Sequence, residues 1–174
     1  MARMTPRLLV LPCVVAGLVG CAAKVHRVAV DPARLAMPVA TKLACGYRLD
    51  EVVDARPSSD RSGGLGNHLF LFDDVPGVVR QQFGNAGLRG QSDGPGVDVR
   101  ILQFYLTQNT ITKIPVAVYE VRVDGGAPFL VRSQKASMNW NGTENEAYSA
   151  YAAALADAAG QVVARLNTDC AKAG

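Results

Sequence analysis

The sequence predicts an α+β domain: a mostly antiparallel β-sheet with a short helix and a long C-terminal helix packed on one face. Three observations predict it. Residues 97–140 fall into three long strand-like runs, the first alternating apolar and polar side chains with period two. Residues 75–86 carry apolar side chains at helical spacing, and residues 144–168 do so over a longer stretch. No internal repeat and no second domain interrupts this order.

The first core strand runs from Tyr47 to Asp54 and ends at Asp54-Ala55-Arg56-Pro57. Residues 58–67 hold Gly63, Gly64 and Gly66 and read as a flexible connection. They lack the Lys-Ser/Thr ending of a phosphate-binding loop and the spacing of a dinucleotide fingerprint. His68 to Phe72 is a short apolar strand. Asp73 and Asp74 then offer an N-cap and Pro76 a first-turn residue. From there Val75, Val78, Val79, Gln82, Phe83 and Ala86 form one helical stripe, stopped by Gly87.

In the first long run Val97, Val99 and Ile101 alternate with polar residues, as do Leu102, Phe104 and Leu106. The apolar phase slips by one at Ile101-Leu102, which a β-bulge reconciles. The second strand spans 111–124, with Pro115 placing its first part at an edge or a bulge. Asp124-Gly125-Gly126 is a hairpin signal, and a third strand follows from Pro128 to Trp140. Asn141-Gly142 closes the sheet, and Thr143 with Glu146 matches a capping box. Along the long helix Tyr148, Tyr151, Leu155, Ala158, Val162 and Leu166 make a core stripe, with Asp157, Gln161 and Arg165 on the other face.

Ahead of this domain stands an address. Arg3 and Arg7 form a basic start, and Leu8 to Gly20 are apolar or small. Such a run spans about 20 Å as a helix, short of the ~30 Å hydrocarbon core, so it reads as a signal peptide and not a membrane span. It ends in Leu18-Val19-Gly20-Cys21, which resembles the lipobox of bacterial lipoproteins. That resemblance implies cleavage before Cys21 and attachment of fatty chains to its sulfur and new amine. Two or more chains anchor a protein stably. Ala22, where an Asp retains many such proteins in the inner membrane, favours the outer membrane. The expected organisation is a signal peptide over 1–20, a lipid-anchored tether over 21–44 broken by Pro32 and Pro38, and one domain over 45–174.

With Arg3 and Arg7 gone, basic residues exceed the 15 acidic ones by one. That balance suits no nucleic-acid partner. Of four cysteines, Cys13 leaves with the signal and Cys21 takes lipid, leaving Cys45 and Cys170 as a disulfide candidate in an oxidising compartment. His26, in the tether, and His68, at a strand start, are the only histidines, and no metal-ligand spacing exists. No Gly-x-Ser-x-Gly occurs, and of Asp50, Glu51 and Asp54 only the first and last share a strand face. The chain is therefore expected to be neither an enzyme nor a cofactor protein. Asp54 and Arg56 remain as a candidate pair: a brace for the loop, or a contact for a partner or an anionic headgroup.

Taken together, the chain is similar to the YajG-like outer-membrane lipoproteins. The residues that carry the likeness are the lipobox at Cys21, Val53-Asp54-Ala55-Arg56-Pro57, the helix ending Asn85-Ala86-Gly87-Leu88, and the terminal helix ending Arg165-Leu166-Asn167-Thr168-Asp169-Cys170. The resemblance implies an envelope protein without established chemistry. Its outline is also similar to auxiliary lipoproteins of envelope ABC transporters. A non-catalytic binding or structural module with an envelope protein partner is the expectation. A transport auxiliary and a regulator of a cell-wall synthase are the alternatives within it.

Overall fold

The computed structural model describes residues 24–58, 62–91, 93–109, 112–134, 137–138 and 143–173. The expected signal peptide, Cys21 and the Asn141-Gly142 closure lie outside the described residues, as do parts of the third strand.

Among the described residues eight strands and two α-helices build two mixed sheets with helices on one face, an α+β architecture. The chain order is β1 His26–Ala29, β2 Arg48–Asp54, β3 Gly64–Leu65, β4 His68–Leu71, α1 Val75–Ala86, β5 Gly96–Gln108, β6 Thr112–Val123, β7 Phe129–Arg132, β8 Ser137–Met138 and α2 Glu144–Ala173. The main sheet runs β2-β5-β6-β7, with β8 pairing the start of β6; the small sheet runs β1-β4-β3.

The β5–β6 hairpin forms the centre. The turn from β6 toward β7 takes Asp124 at φ 46° and Gly125 at φ 68°, and the Gly126 amide donates to the Val123 carbonyl at 2.8 Å. Two left-handed residues are what a two-residue type I′ turn needs, and Asp and Gly tolerate them best. The bulge sits at Leu102, where the register slips between Ile101 and Gln103. The helix α1 carries its six-residue stripe into the core as the spacing predicts. The Asp74 carboxylate accepts from the Gly77 amide at 2.7 Å, and Gly87 at φ 98° closes the other end. At α2 the capping box forms in both directions: the Thr143 amide reaches Glu146 at 3.2 Å and the Glu146 amide reaches the Thr143 hydroxyl at 3.4 Å. The helix runs five residues past Thr168, to Ala173.

Four expectations change. The three long runs pair antiparallel in the order β5-β6-β7, as expected, but the sheets are mixed: β2 pairs parallel with β5, and β1 parallel with β4. Helix α1 lies in the crossover between β2 and β5, so the chain can return to the same end of the sheet, which parallel pairing requires. The third strand is shorter than expected, stopping at Arg132 before β8. Ser133 takes the place of a strand partner, its hydroxyl accepting from the Ala117 amide at 3.0 Å next to Pro115. Pro115 falls between the β7 and β8 pairings, where its missing N–H leaves no ladder bond unmade. The glycine-rich stretch is a packed hairpin where it is described, with Leu65 and Ser62 fully buried. Gly63, at φ 85°, lies so close to β5 that a Cβ would sit 2.2 Å from the Leu106 carbonyl oxygen.

The fourth change concerns the expected tether. Residues 24–44 are packed on the domain, because Val30, Leu35 and Val39 bury their side chains in its core. A single turn of 3-10 helix, Pro32–Leu35, starts at Asp31, whose side chain accepts from the Ala33 amide. Hydrogen bonds lace the rest down. The Tyr148 hydroxyl accepts from the Asp31 amide at 2.9 Å, the Gln82 side chain donates to the Leu35 carbonyl at 2.9 Å, and the Ala86 carbonyl accepts from the Leu43 amide at 2.8 Å. Arg34 lies over the Tyr148 ring at 3.5 Å and reaches Glu144 at 2.8 Å.

The core joins Phe70, Phe72 and Phe104 with Tyr151 in edge-to-face pairs and one tilted pair, Phe104 with Tyr151, and Phe72 and Phe104 lie 4.9 Å apart. Tyr119 is fully buried in the same core, and its hydroxyl has no hydrogen-bond partner among the described residues. Burial raises its pKa, so the group stays neutral. A buried hydroxyl without a partner carries a desolvation penalty of about 1–3 kcal/mol. Tyr119→Phe is therefore expected to raise stability by roughly 1 kcal/mol in urea unfolding. A clear loss would show that a bound water satisfies the hydroxyl.

Candidate functional site

The stretch that singles out Asp54 and Arg56 folds into a closed brace. Strand β2 ends at Asp54, and the next amide, of Ala55, donates to the Ile101 carbonyl at 3.0 Å, holding the exit of β2 against β5. The chain then turns so that Arg56 comes back over Asp54. Its Nε and terminal nitrogen meet the two carboxylate oxygens at 2.8 and 2.7 Å, a two-pronged pair. The Arg56 backbone amide adds a third bond to the same carboxylate at 3.2 Å. These bonds from Arg56 hold the Asp54 carboxyl below its ordinary pKa, against the opposing effect of burial.

The other prong of the guanidinium donates to the Ser62 hydroxyl at 3.0 Å. Ser62 is fully buried and is itself tied to two elements. Its carbonyl accepts from the Leu106 amide of β5 at 2.8 Å and from the Tyr151 hydroxyl of α2. Burial raises the Tyr151 pKa, so this hydroxyl also remains a neutral donor. One arginine thus links the end of β2, the start of the β3 hairpin, β5 and α2. Its side chain is 4% exposed, too buried to meet a partner protein or a headgroup. Of the two readings of this pair, the geometry supports the brace. Sequence spacing pointed to Asp54 and Arg56 but carried no signal for Ser62 or Tyr151, which lie 6 and 95 residues beyond Arg56.

Cys45 and Cys170 meet in a disulfide, with Cα atoms 6.5 Å apart and 125 residues between them in sequence. It joins the segment before β2 to the last turn of α2. Beside it, Asn167 accepts from the Ala44 amide at 2.8 Å and donates to the Lys42 carbonyl at 2.9 Å.

His26 and His68 pair in register on β1 and β4, with rings stacked 5.5 Å apart. Among the described residues no group of three or more His, Cys, Asp or Glu side chains gathers to hold a metal ion. No described helix is long and apolar enough to cross a membrane. Asp50 pairs with Arg48 on the surface, held below its ordinary pKa by that hydrogen bond, and Glu51 is exposed on the outer sheet face.

Two surfaces remain. The outer face of the main sheet carries Glu51, Asp98, Arg100, Glu120 and Arg122, with Arg100 paired to Glu120 at 3.0 Å. At its edge, among the described residues, β7 pairs only with β6, and Leu130 stands 67% exposed. Separately, a cavity of about 420 Å³ opens between Met37–Thr41 and the alanine-rich face of α2 around Gly160.

No family model matches the chain, and no curated protein matches it. Solved structures share its outline distantly. One, described as the crystal structure of an uncharacterized protein, is 11% identical, covers 84% of this chain and 99% of its own, and superposes with a TM-score of 0.39. Another, a minor lipoprotein from Acinetobacter baumannii, is 14% identical, covers 69% of this chain and 94% of its own, with a TM-score of 0.37. Similarity at this level fixes neither family nor function.

Proposed function

We propose that the protein is a lipid-anchored binding module of the bacterial envelope, held through Cys21 at the outer membrane, facing the periplasm and without catalysis of its own. The observation that carries this reading is the Cys45–Cys170 bridge. Such bonds persist in oxidising compartments and are rare in the cytosol. The signal-like start and Leu18-Val19-Gly20-Cys21 point to the same side of the membrane by independent chemistry. Binding suits the β7 edge, where an envelope protein partner can add a strand beside Leu130. The brace at Arg56 serves the fold and leaves this edge as the working surface.

Intact mass of protein extracted from membranes tests the reading. The expected species begins at Cys21, carries the mass of its fatty chains and lacks two hydrogens for the bridge. Cys21→Ser is expected to abolish both lipid and processing. A processed, membrane-held Cys21→Ser protein would overturn the reading. Crosslinking in intact cells followed by denaturing purification then identifies the partner, with Leu130→Lys expected to reduce its recovery.

A further inference from the structure

The docked segment sets how far the domain can stand from its anchor. A free tether over 21–44 would let the domain reach roughly 80 Å from the bilayer, at about 3.3–3.6 Å per residue. Val30, Leu35 and Val39 are buried, so that length is taken up by the domain itself. Only the steps from Cys21 to Lys24 remain, a reach of about 10 Å.

The surface at that point has a definite chemistry. Strands β1 and β4 run parallel and start together, at His26 and His68. Phe70 is buried in the core and Val28, partly buried, packs against it, so Arg27 and Leu69, paired in register, face outward. Lys24, Val25 and Arg27 are exposed, Val25 by 60%, and Leu69 is half-buried. The acids of this sheet lie past its other end: Asp31 after β1, and Asp73 and Asp74 after β4, all exposed. Positive charge and apolar surface therefore meet at the anchored end, and negative charge at the far end.

We propose that this corner, formed by Lys24, Val25, Arg27 and Leu69, docks on the membrane surface. Lys24 and Arg27 meet the phosphates of anionic lipids, and Val25 and Leu69 face the boundary of the acyl chains. Basic residues near an anionic leaflet are drawn to its surface charge within about a Debye length. The acids beyond the far end of both strands are held away from the same surface by its charge. The domain thus lies against the bilayer in one orientation instead of swinging on a leash. The proposal rests on the lipid anchor at Cys21 and deepens that reading by fixing which face meets lipid.

The test uses the full mature lipoprotein, purified from membranes and placed in vesicles of three parts phosphatidylethanolamine to one part phosphatidylglycerol. A nitroxide is attached at Asn67→Cys, an exposed turn position at the docked end, and in a second protein at Leu130→Cys on the β7 edge. Asn67 lies beside His26, whose amide donates to its carbonyl at 2.7 Å, so the anchor alone brings it near the bilayer, and docking is read from the dependence of its shielding on Lys24, Arg27 and lipid charge. Collisions with a water-soluble nickel chelate are expected to fall several-fold at 67 on moving from detergent to vesicles, and to stay unchanged at 130. Reversing Lys24 and Arg27 to Glu is expected to restore access at 67. Vesicles of phosphatidylcholine alone are expected to shield 67 less. If the Asn67 label perturbs the turn, Val25→Cys reports the same corner. Equal access at 67 and 130 in protein that floats with the vesicles and carries lipid mass overturns the docking and leaves the anchor intact. Protein without lipid mass overturns both.

Discussion

Removing the Cys45–Cys170 bridge lowers the stability of the domain by about 5 kcal/mol in the chain-entropy account, because a long loop is released in the unfolded chain. The sequence separation of 125 makes this the largest single covalent constraint in the fold. A Cys45→Ala, Cys170→Ala protein is expected to melt roughly 10–20 °C below the parent, since each kcal/mol moves a domain of this size by about 2–4 °C. The loss should appear equally on chemical reduction of the parent. The folded state should keep its shape, because Asn167 also ties the Lys42–Ala44 stretch to α2 and Leu43 is bonded to α1. A melting temperature that does not move on reduction would show that the unfolded chain gains no freedom from the cut.

The second large effect is Arg56→Ala. The substitution leaves the Asp54 carboxylate, 17% exposed, without its two-pronged partner, and strips the Ser62 hydroxyl of a donor. Breaking one half of a buried pair costs about 3–5 kcal/mol, most of it the penalty of the charge left behind. Removing both partners at once, in Arg56→Met with Asp54→Leu, is expected to cost much less, and the double-mutant cycle measures the coupling. The pH dependence has a definite sign. Asp54 titrates lower in the folded protein than its ordinary value of about 3.9. Its contribution is therefore fully present above that value and disappears as pH falls through the folded pKa. Acid unfolding curves of Arg56→Ala should lack this limb. Unchanged melting with lost partner capture would instead give Arg56 to recognition.

Local chemistry made much of this fold legible. Asp74, Pro76 and Gly87 bound α1, and Thr143 with Glu146 start α2, because capping is decided within a few residues. The phase slip at Ile101-Leu102 located the bulge, because an extra residue flips every later side chain. What stayed hidden depends on residues far apart. Parallel pairing of β2 with β5 leaves no turn signature, since the connection between them holds a hairpin and a helix. Val30, Leu35 and Val39 stand singly among prolines with no period, so their burial is set by α1 and α2 and not by their own segment. The brace shows both cases at once. Asp54 and Arg56 are two residues apart and readable as a pair, whereas Ser62 and Tyr151 join them only through the fold.

The docked N-terminal segment also gives the molecule a mechanical character. Tension applied at Lys24 is expected to peel β1 from β4 and then lift Leu35 and Val39 from their seats, until the segment approaches its extended length of roughly 70 Å. The peeling halts at Cys45, where a covalent crosslink to α2 bears the load and shields the β5–β6 hairpin from it. The crosslink therefore sets the point at which a pull on the N-terminal strap passes from the segment to the body of the fold.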